Sequence, residues 1–144
     1  MIGSEFSSLQ EEVWEIPIEK EADIIVVRQL VRDLTKSLLF DQFASAALTT
    51  ASSELGRNIW VHAQTGKAQV RIVRGNSRIG LELQFEDQGP GIADLPRALR
   101  GGFSTANSLG LGLSGTKRLV DDFAVDTKPG QGTRIVIRKW KKDF

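Results

Sequence analysis

Residues 79–86 run Ile-Gly-Leu-Glu-Leu-Gln-Phe-Glu, a strict alternation of apolar and polar positions. Successive side chains of a strand point to opposite faces, so this segment needs a sheet with one face buried and the other wet. Ala68, Val70 and Ile72 alternate in the same way upstream, and Gly75-Asn76-Ser77 between the two runs is hairpin chemistry. Something must cover the apolar face, and two helix-length segments come first. From about Ala22 to Leu39, Val27, Leu30, Val31, Leu34 and Leu38 recur at helical spacing, with Arg28, Arg32, Asp33 and Lys36 opposite. Asp41 suits the N-cap of a second helix reaching about Ala63, with Phe43, Ala47, Leu48, Ala51, Leu55 and Ile59 as its buried stripe.

The remaining pieces follow the same logic. A strand over Glu12 to Ile18 is confined by Pro17 to an edge or an end. A loop from Asp87 to Gly112 holds one short helix near Leu95 to Leu99, a third helix spans Leu113 to Phe123, and a last hairpin pairs Ala124–Thr127 with Thr133–Lys139. This order predicts an α+β two-layer sandwich, sheet on one side and helices on the other. With 144 residues the chain suits a single domain over 7–144, Met1 to Phe6 being read as an expression scar.

Composition excludes several chemistries. Cysteine is absent and His62 is the one histidine, which removes thiolate nucleophiles, iron–sulfur clusters, zinc fingers and histidine-cluster metal sites. A metal held by oxygens stays open. With 19 basic and 18 acidic side chains there is no bulk electrostatic case for nucleic acid, and Arg138-Lys139-Trp140-Lys141-Lys142 is read as a solvated strand end. No apolar run approaches the roughly 20 residues of a membrane span, and no signal peptide is recognisable, so a cytoplasmic protein is expected.

Four places can carry chemistry. Glu54, Asn58 and His62 stand at i, i+4 and i+8, one slowly drifting stripe of the second helix. The carboxylate can take a proton and the amide oxygen can sit on a hard cation such as Mg²⁺, although an ordinary polar helix face has the same look. At a strand end, Glu86-Asp87-Gln88-Gly89-Pro90-Gly91-Ile92 offers a carboxylate able to accept from an exocyclic amine such as adenine N6, beside glycines that admit a flat ligand. An ordinary turn leaving a strand is the equal alternative. Gly110-Leu111-Gly112-Leu113-Ser114-Gly115 opens a helix, where backbone N–H groups face anions. This string matches G-x-G-x-x-G, yet a loop precedes it instead of the first strand of a βαβ unit, so the dinucleotide fold is rejected. Gly130-Gln131-Gly132-Thr133 is by itself a hairpin turn whose threonine can reach a ligand.

In their order and spacing these four resemble the GHKL (Bergerat) ATPase fold of histidine kinases, gyrase-type ATPases, Hsp90 and anti-sigma-factor serine kinases. The resemblance covers about Asp41 to Trp140. A histidine kinase would add a helix pair bearing a phosphoacceptor histidine, for which these residues leave no room. Ser53-Glu54-Leu55-Gly56-Arg57-Asn58-Ile59, Gly89-Pro90-Gly91-Ile92 and Gly102-Phe103-Ser104-Thr105 are most similar to the switch kinases of the stressosome. The resemblance implies a mixed, mostly antiparallel sheet, with ATP and Mg²⁺ as cofactors. It further implies Asp87 on the adenine amine, Gly89, Gly91 and Ile92 beside the base, and Thr133 supporting it through water. Asn58 would hold Mg²⁺, Gly110, Leu111 and Gly112 would cradle phosphates with Lys117 as helper, and Glu54 would be the catalytic base. Implied partners are STAS-domain scaffold and antagonist proteins of the RsbS and RsbR type as substrates, then a PP2C-type phosphatase of the RsbU type. Alternatives are an anti-sigma kinase that sequesters a sigma factor, or a module that holds ATP without transfer. The composition of 97–108 predicts a lid without order in the absence of nucleotide.

Overall fold

The computed structural model describes residues 12–100 and 112–141. Along the chain run β1 (Val13–Ile18), α1 (Glu21–Ser37), α2 (Gln42–His62), β2 (Gly66–Gly75), β3 (Arg78–Asp87), α3 (Leu95–Arg100), α4 (Gly112–Leu119), β4 (Asp122–Thr127) and β5 (Thr133–Trp140). The strands form one sheet in the order β1-β2-β3-β5-β4. Every pairing is antiparallel, which corrects the expected mixed sheet. The reason lies in the last hairpin: β4 runs parallel to β3, but β5 turns back between them, so among the described residues no parallel neighbours meet.

The register places Ala68, Val70 and Ile72 opposite Phe85, Leu83 and Leu81. Leu83 and Phe85 then face Ile137 and Ile135 across β3 and β5. Leu48, Ala51, Leu55 and Ile59 of α2 join these residues in one nearly solvent-free core. Each fully buried Leu or Ile side chain contributes about 1.5–3 kcal/mol to holding the helix on the sheet. The N-cap is as expected, with Asp41 Oδ1 accepting from Ala44 N at 2.7 Å. Helix α1 packs on α2 and β1, and the buried Thr35 hydroxyl meets Ser45 Oγ at 2.7 Å between the two helices.

Three expectations are corrected. Phe43, placed in the buried stripe of α2, is 89% exposed, and Ala44 takes the inward position at 6%. One residue is about 100° of helix, so the stripe runs Ala44, Leu48, Ala51, Leu55, Ile59. The third helix ends at Leu119 instead of Phe123. Asp121 Oδ2 accepts from Trp140 N at 2.7 Å and Asp122 Oδ2 from Trp140 Nε1 at 3.2 Å, fastening the approach to β4 onto the end of β5. The third concerns Glu82, assigned by alternation to the wet face, yet only 4% exposed.

That wet face carries charge in rows. Arg71, Glu82, Arg138 and Asp122 are successive register partners across four strands. Glu82 accepts from Arg71 Nη2 and Arg138 Nη2 at 2.6 Å each. Burial alone would raise its carboxyl pKa, but the two guanidinium groups outweigh burial and hold it below the ordinary glutamate range. Lys67, Glu86, Arg134 and Asp126 form a second alternating row.

Candidate active site

The ends of β3 and β5 and the C-terminal half of α2 meet around a cavity of about 260 Å³. Ile59, Phe85, Ile92, Leu113 and Ile135 give it apolar walls, and Asn58, Asp87, Gly91, Gly112 and Thr133 reach its surface. Most of the residues singled out in the sequence therefore converge on one space.

Asp87 ends β3 and is the register partner of Thr133, which begins β5. Asp87 Oδ1 accepts from Gly89 N at 2.8 Å, which holds the carboxylate at the strand end. Burial pushes the Asp87 carboxyl above its ordinary range; hydrogen bonds from the Gly89 and Thr133 N–H groups and the charge of His62 pull it back, while Glu86 adds to the rise. A partly buried acceptor of this kind is satisfied by a donor brought in by a ligand. Gly89 and Gly91 have a further reason to lack side chains. A Cβ at Gly89 would lie 2.6 Å from Ala63 Cβ, and one at Gly91 would press on the Lys128 carbonyl and lie 3.2 Å from Pro129 Cα. The two glycines are needed for the loop's approach to α2 and to the last hairpin. Gly130 N donates to Pro90 O at 2.6 Å and completes that closure.

On α2 the stripe divides. Asn58 and His62 line the cavity; Glu54, one turn earlier, is 8% exposed and accepts from Gly112 N at 3.2 Å through Oε2. The first amide of α4 thus lies beside both the carboxylate and the cavity. Lys117 is not brought to this cavity: it is exposed on α4 and borders a separate groove with Val120, Phe123 and Arg138. Gly110 and Leu111 lie outside the described residues, as does 101–108 of the expected lid, while Arg97–Arg100 belong to α3.

One residue of the sequence stripe was given no role, and one was missed altogether. His62, placed by its i+8 spacing on the stripe of Glu54 and Asn58, borders the cavity. Thr127 stands behind the wall, with its hydroxyl in contact with Ile92 N, Gly132 O and Thr133 Oγ1. No periodicity marks such a residue, because its partners come from three separate segments.

The histidine kinase-, DNA gyrase B- and HSP90-like ATPase family model matches residues 43–143. The chain belongs to this family. As an HATPase_c domain it is 43% identical over 125 residues to the serine/threonine-protein kinase RsbT of Bacillus subtilis, an alignment spanning 87% of this chain and 94% of that relative. The enzyme class expected from the motifs, an ATP-dependent kinase, agrees with that relative. An anti-sigma F factor of Caldanaerobacter subterraneus is 29% identical over 101 residues, 66% of this chain and 69% of that protein. Among solved structures, the SiaB-SiaC complex from Pseudomonas aeruginosa contains a chain of the same fold, with TM-score 0.55, 14% identity, and coverage of 97% and 98% of the two chains. No helix among the described residues is long and apolar enough to cross a membrane.

The cavity fits what an HATPase_c domain takes. A purine has apolar faces and a polar edge, and the cavity has apolar walls with Asp87 and Thr133 side by side in its lining. No group of three or more metal-ligating side chains stands together among the described residues. Mg²⁺ on a nucleotide commonly takes only one or two protein ligands, the rest being phosphate and water oxygens. Asn58 suits that role.

Proposed function

We propose that the chain is an ATP-dependent serine/threonine protein kinase of a bacterial partner-switching stress module, working in the cytoplasm as one domain over 7–144. The observation that carries this reading is that Asn58, Asp87, Gly112 and Thr133 line one cavity. Acceptors that suit an adenine amine, Asp87 and Thr133, stand side by side as register partners, and Asn58 and Gly112 line the same cavity with Glu54 hydrogen-bonded to the Gly112 amide. The 43% identity to RsbT supports it.

In this reading Asp87 binds the exocyclic amine, and Thr133 supports the base through water. Gly89, Gly91 and Ile92 shape the wall beside it, and Gly110, Leu111 and Gly112 face phosphate oxygens. Asn58 holds Mg²⁺, which neutralises phosphate charge when bound. Phosphoryl transfer depends mainly on such positioning and charge neutralisation. Glu54 takes the proton of the incoming Ser or Thr hydroxyl as its oxygen bonds to the γ-phosphorus and ADP leaves. The acceptors are STAS-domain scaffold and antagonist proteins of the RsbS and RsbR type. After transfer the kinase leaves them, binds a PP2C-type phosphatase of the RsbU type and activates it.

The 29% identity to an anti-sigma F factor keeps a second reading in view: the same fold sequestering a sigma factor. One experiment separates the readings. The chain is incubated with Mg-ATP and a STAS-domain protein, and the acceptor's intact mass is recorded. A gain of one phosphate, lost in Glu54→Ala and Asn58→Ala, is expected, with ATP binding retained in Glu54→Ala. Persistent transfer by Glu54→Ala would remove Glu54 from the role of base. ATP bound and partner held without any transfer would favour the sigma-holding or non-transferring reading.

A further inference from the structure

Glu54 is nearly closed off from solvent, with the Gly112 amide on its Oε2. A hydroxyl that gives its proton to this carboxylate comes in past the residues around it on α2. At helical spacing these are Thr50, Ala51, Arg57 and Asn58. Ala51 belongs to the core, and Asn58 lines the nucleotide cavity. Thr50 is exposed and Arg57 half-buried, and neither lines that cavity. They mark the side of Glu54 on which a protein acceptor arrives.

Arg57 is the one lysine or arginine of α2. Its Nε is buried and has no hydrogen-bond partner. The guanidinium stays charged, and Glu54, one turn away, is bonded to the Gly112 amide instead. A buried donor of a charged group without an acceptor is a standing penalty in the free chain. The penalty is relieved when the side chain turns outward onto an anion. We infer that Arg57 is a specificity-determining residue for the protein acceptor, pairing with a carboxylate that stands near the phosphorylated Ser or Thr. This rests on the kinase reading above. A guanidinium offers a carboxylate two parallel N–H donors. Its place one turn from Glu54 sets that pair within a few residues of the hydroxyl Glu54 receives.

The test follows transfer from Mg-ATP to a STAS-domain protein by intact mass over a range of acceptor concentrations, with ATP binding measured by calorimetry. Arg57→Met keeps an unbranched stem without the donors. It is expected to bind ATP as the wild type does and to raise the KM for the acceptor about 10- to 100-fold, with kcat little changed. Arg57→Lys keeps the charge without the paired donors and recovers part of the loss. The Asp and Glu residues flanking the phosphorylated position are then changed to amides one at a time. One of them should raise KM in the wild type and add little in Arg57→Met. Should Arg57→Met fail to fold, Arg57→Gln carries the same expectations. An acceptor KM unmoved in the folded variant, ATP affinity lost along with it, or amide substitutions that act equally in both backgrounds overturn the inference while leaving the kinase reading in place. A wild type that binds ATP and transfers nothing refutes the kinase reading, and this inference falls with it.

Discussion

The last hairpin loop contains a controlled comparison. Gly130 and Gly132 lie two residues apart, with φ of +77° and +93°. A side chain at either position is strained by about 1–3 kcal/mol, offset by about 0.4–1 kcal/mol because alanine reduces the freedom of the unfolded chain. Their surroundings differ. A Cβ at Gly130 has nothing within 4 Å, whereas one at Gly132 would overlap the Asp87 carbonyl and lie 3.0 Å from Gln88 Cα. Both obstacles are backbone, so the strand end bearing Asp87 must move, and overpacking of this kind costs about 1–3 kcal/mol more. Gly130→Ala is therefore expected to cost about 1 kcal/mol and Gly132→Ala about 3 kcal/mol by urea denaturation. In the proposed nucleotide reading, displacing Asp87 also loses a charge-assisted hydrogen bond to the adenine amine, so ATP affinity should fall about 10- to 100-fold in Gly132→Ala. In Gly130→Ala it should stay near wild type. Equal destabilisation by the two substitutions, or full ATP affinity in a folded Gly132→Ala, would refute the argument that this backbone contact positions Asp87.

Glu82→Gln is expected to cost about 2 kcal/mol at pH 7, because two charge-assisted bonds are weakened while the partly exposed arginines rehydrate. The folded-state carboxyl is held below its ordinary value, so its stabilisation is present above the unfolded pKa and is lost as pH falls through the folded one. The difference between variant and wild type should therefore shrink in denaturation curves taken below about pH 4. Asp87 has the opposite sign: burial raises its pKa, so its ionisation opposes folding as pH rises. Asp87→Asn should melt at or above the wild-type temperature at pH 7 yet fail to bind ATP, as calorimetry would show. Leu39, 74% exposed, has φ of 63° just after α1, where glycine is usual. Leu39→Gly is expected to raise stability by about 0.5–1 kcal/mol, read as a higher melting temperature.

The parts of this fold that were legible are those in which one local pattern has one physical outcome. Alternation over 79–86 gave a half-buried strand, and Asp41 ahead of an apolar helix gave a cap that the structure shows at 2.7 Å. Asp87 and Thr133 were legible because glycines mark sharp turns at strand ends. What failed depended on distant partners. Helical spacing continues through Phe123, but Trp140 draws Asp121 and Asp122 into hydrogen bonds and the strand wins. Phe43 was misplaced because one residue of helical rotation takes it off the buried stripe, where Ala44 stands instead. Lys117 follows the glycine string in sequence, yet helical rotation directs it to another groove.

The strand order β1-β2-β3-β5-β4 has a consequence for how the chain is made. As residues leave the ribosome, β1, β2 and β3 can pair early, leaving one side of β3 bare with Leu81, Leu83 and Phe85 beside it. The strand that covers that side, β5, begins 46 residues after β3 ends, at Thr133 against Asp87. Late-closing edges with apolar neighbours are where nascent chains stick to one another. Stalling synthesis before residue 133 should therefore yield a chain that needs a chaperone, and release of the last strand should both quench that stickiness and join Thr133 to Asp87 in the same event.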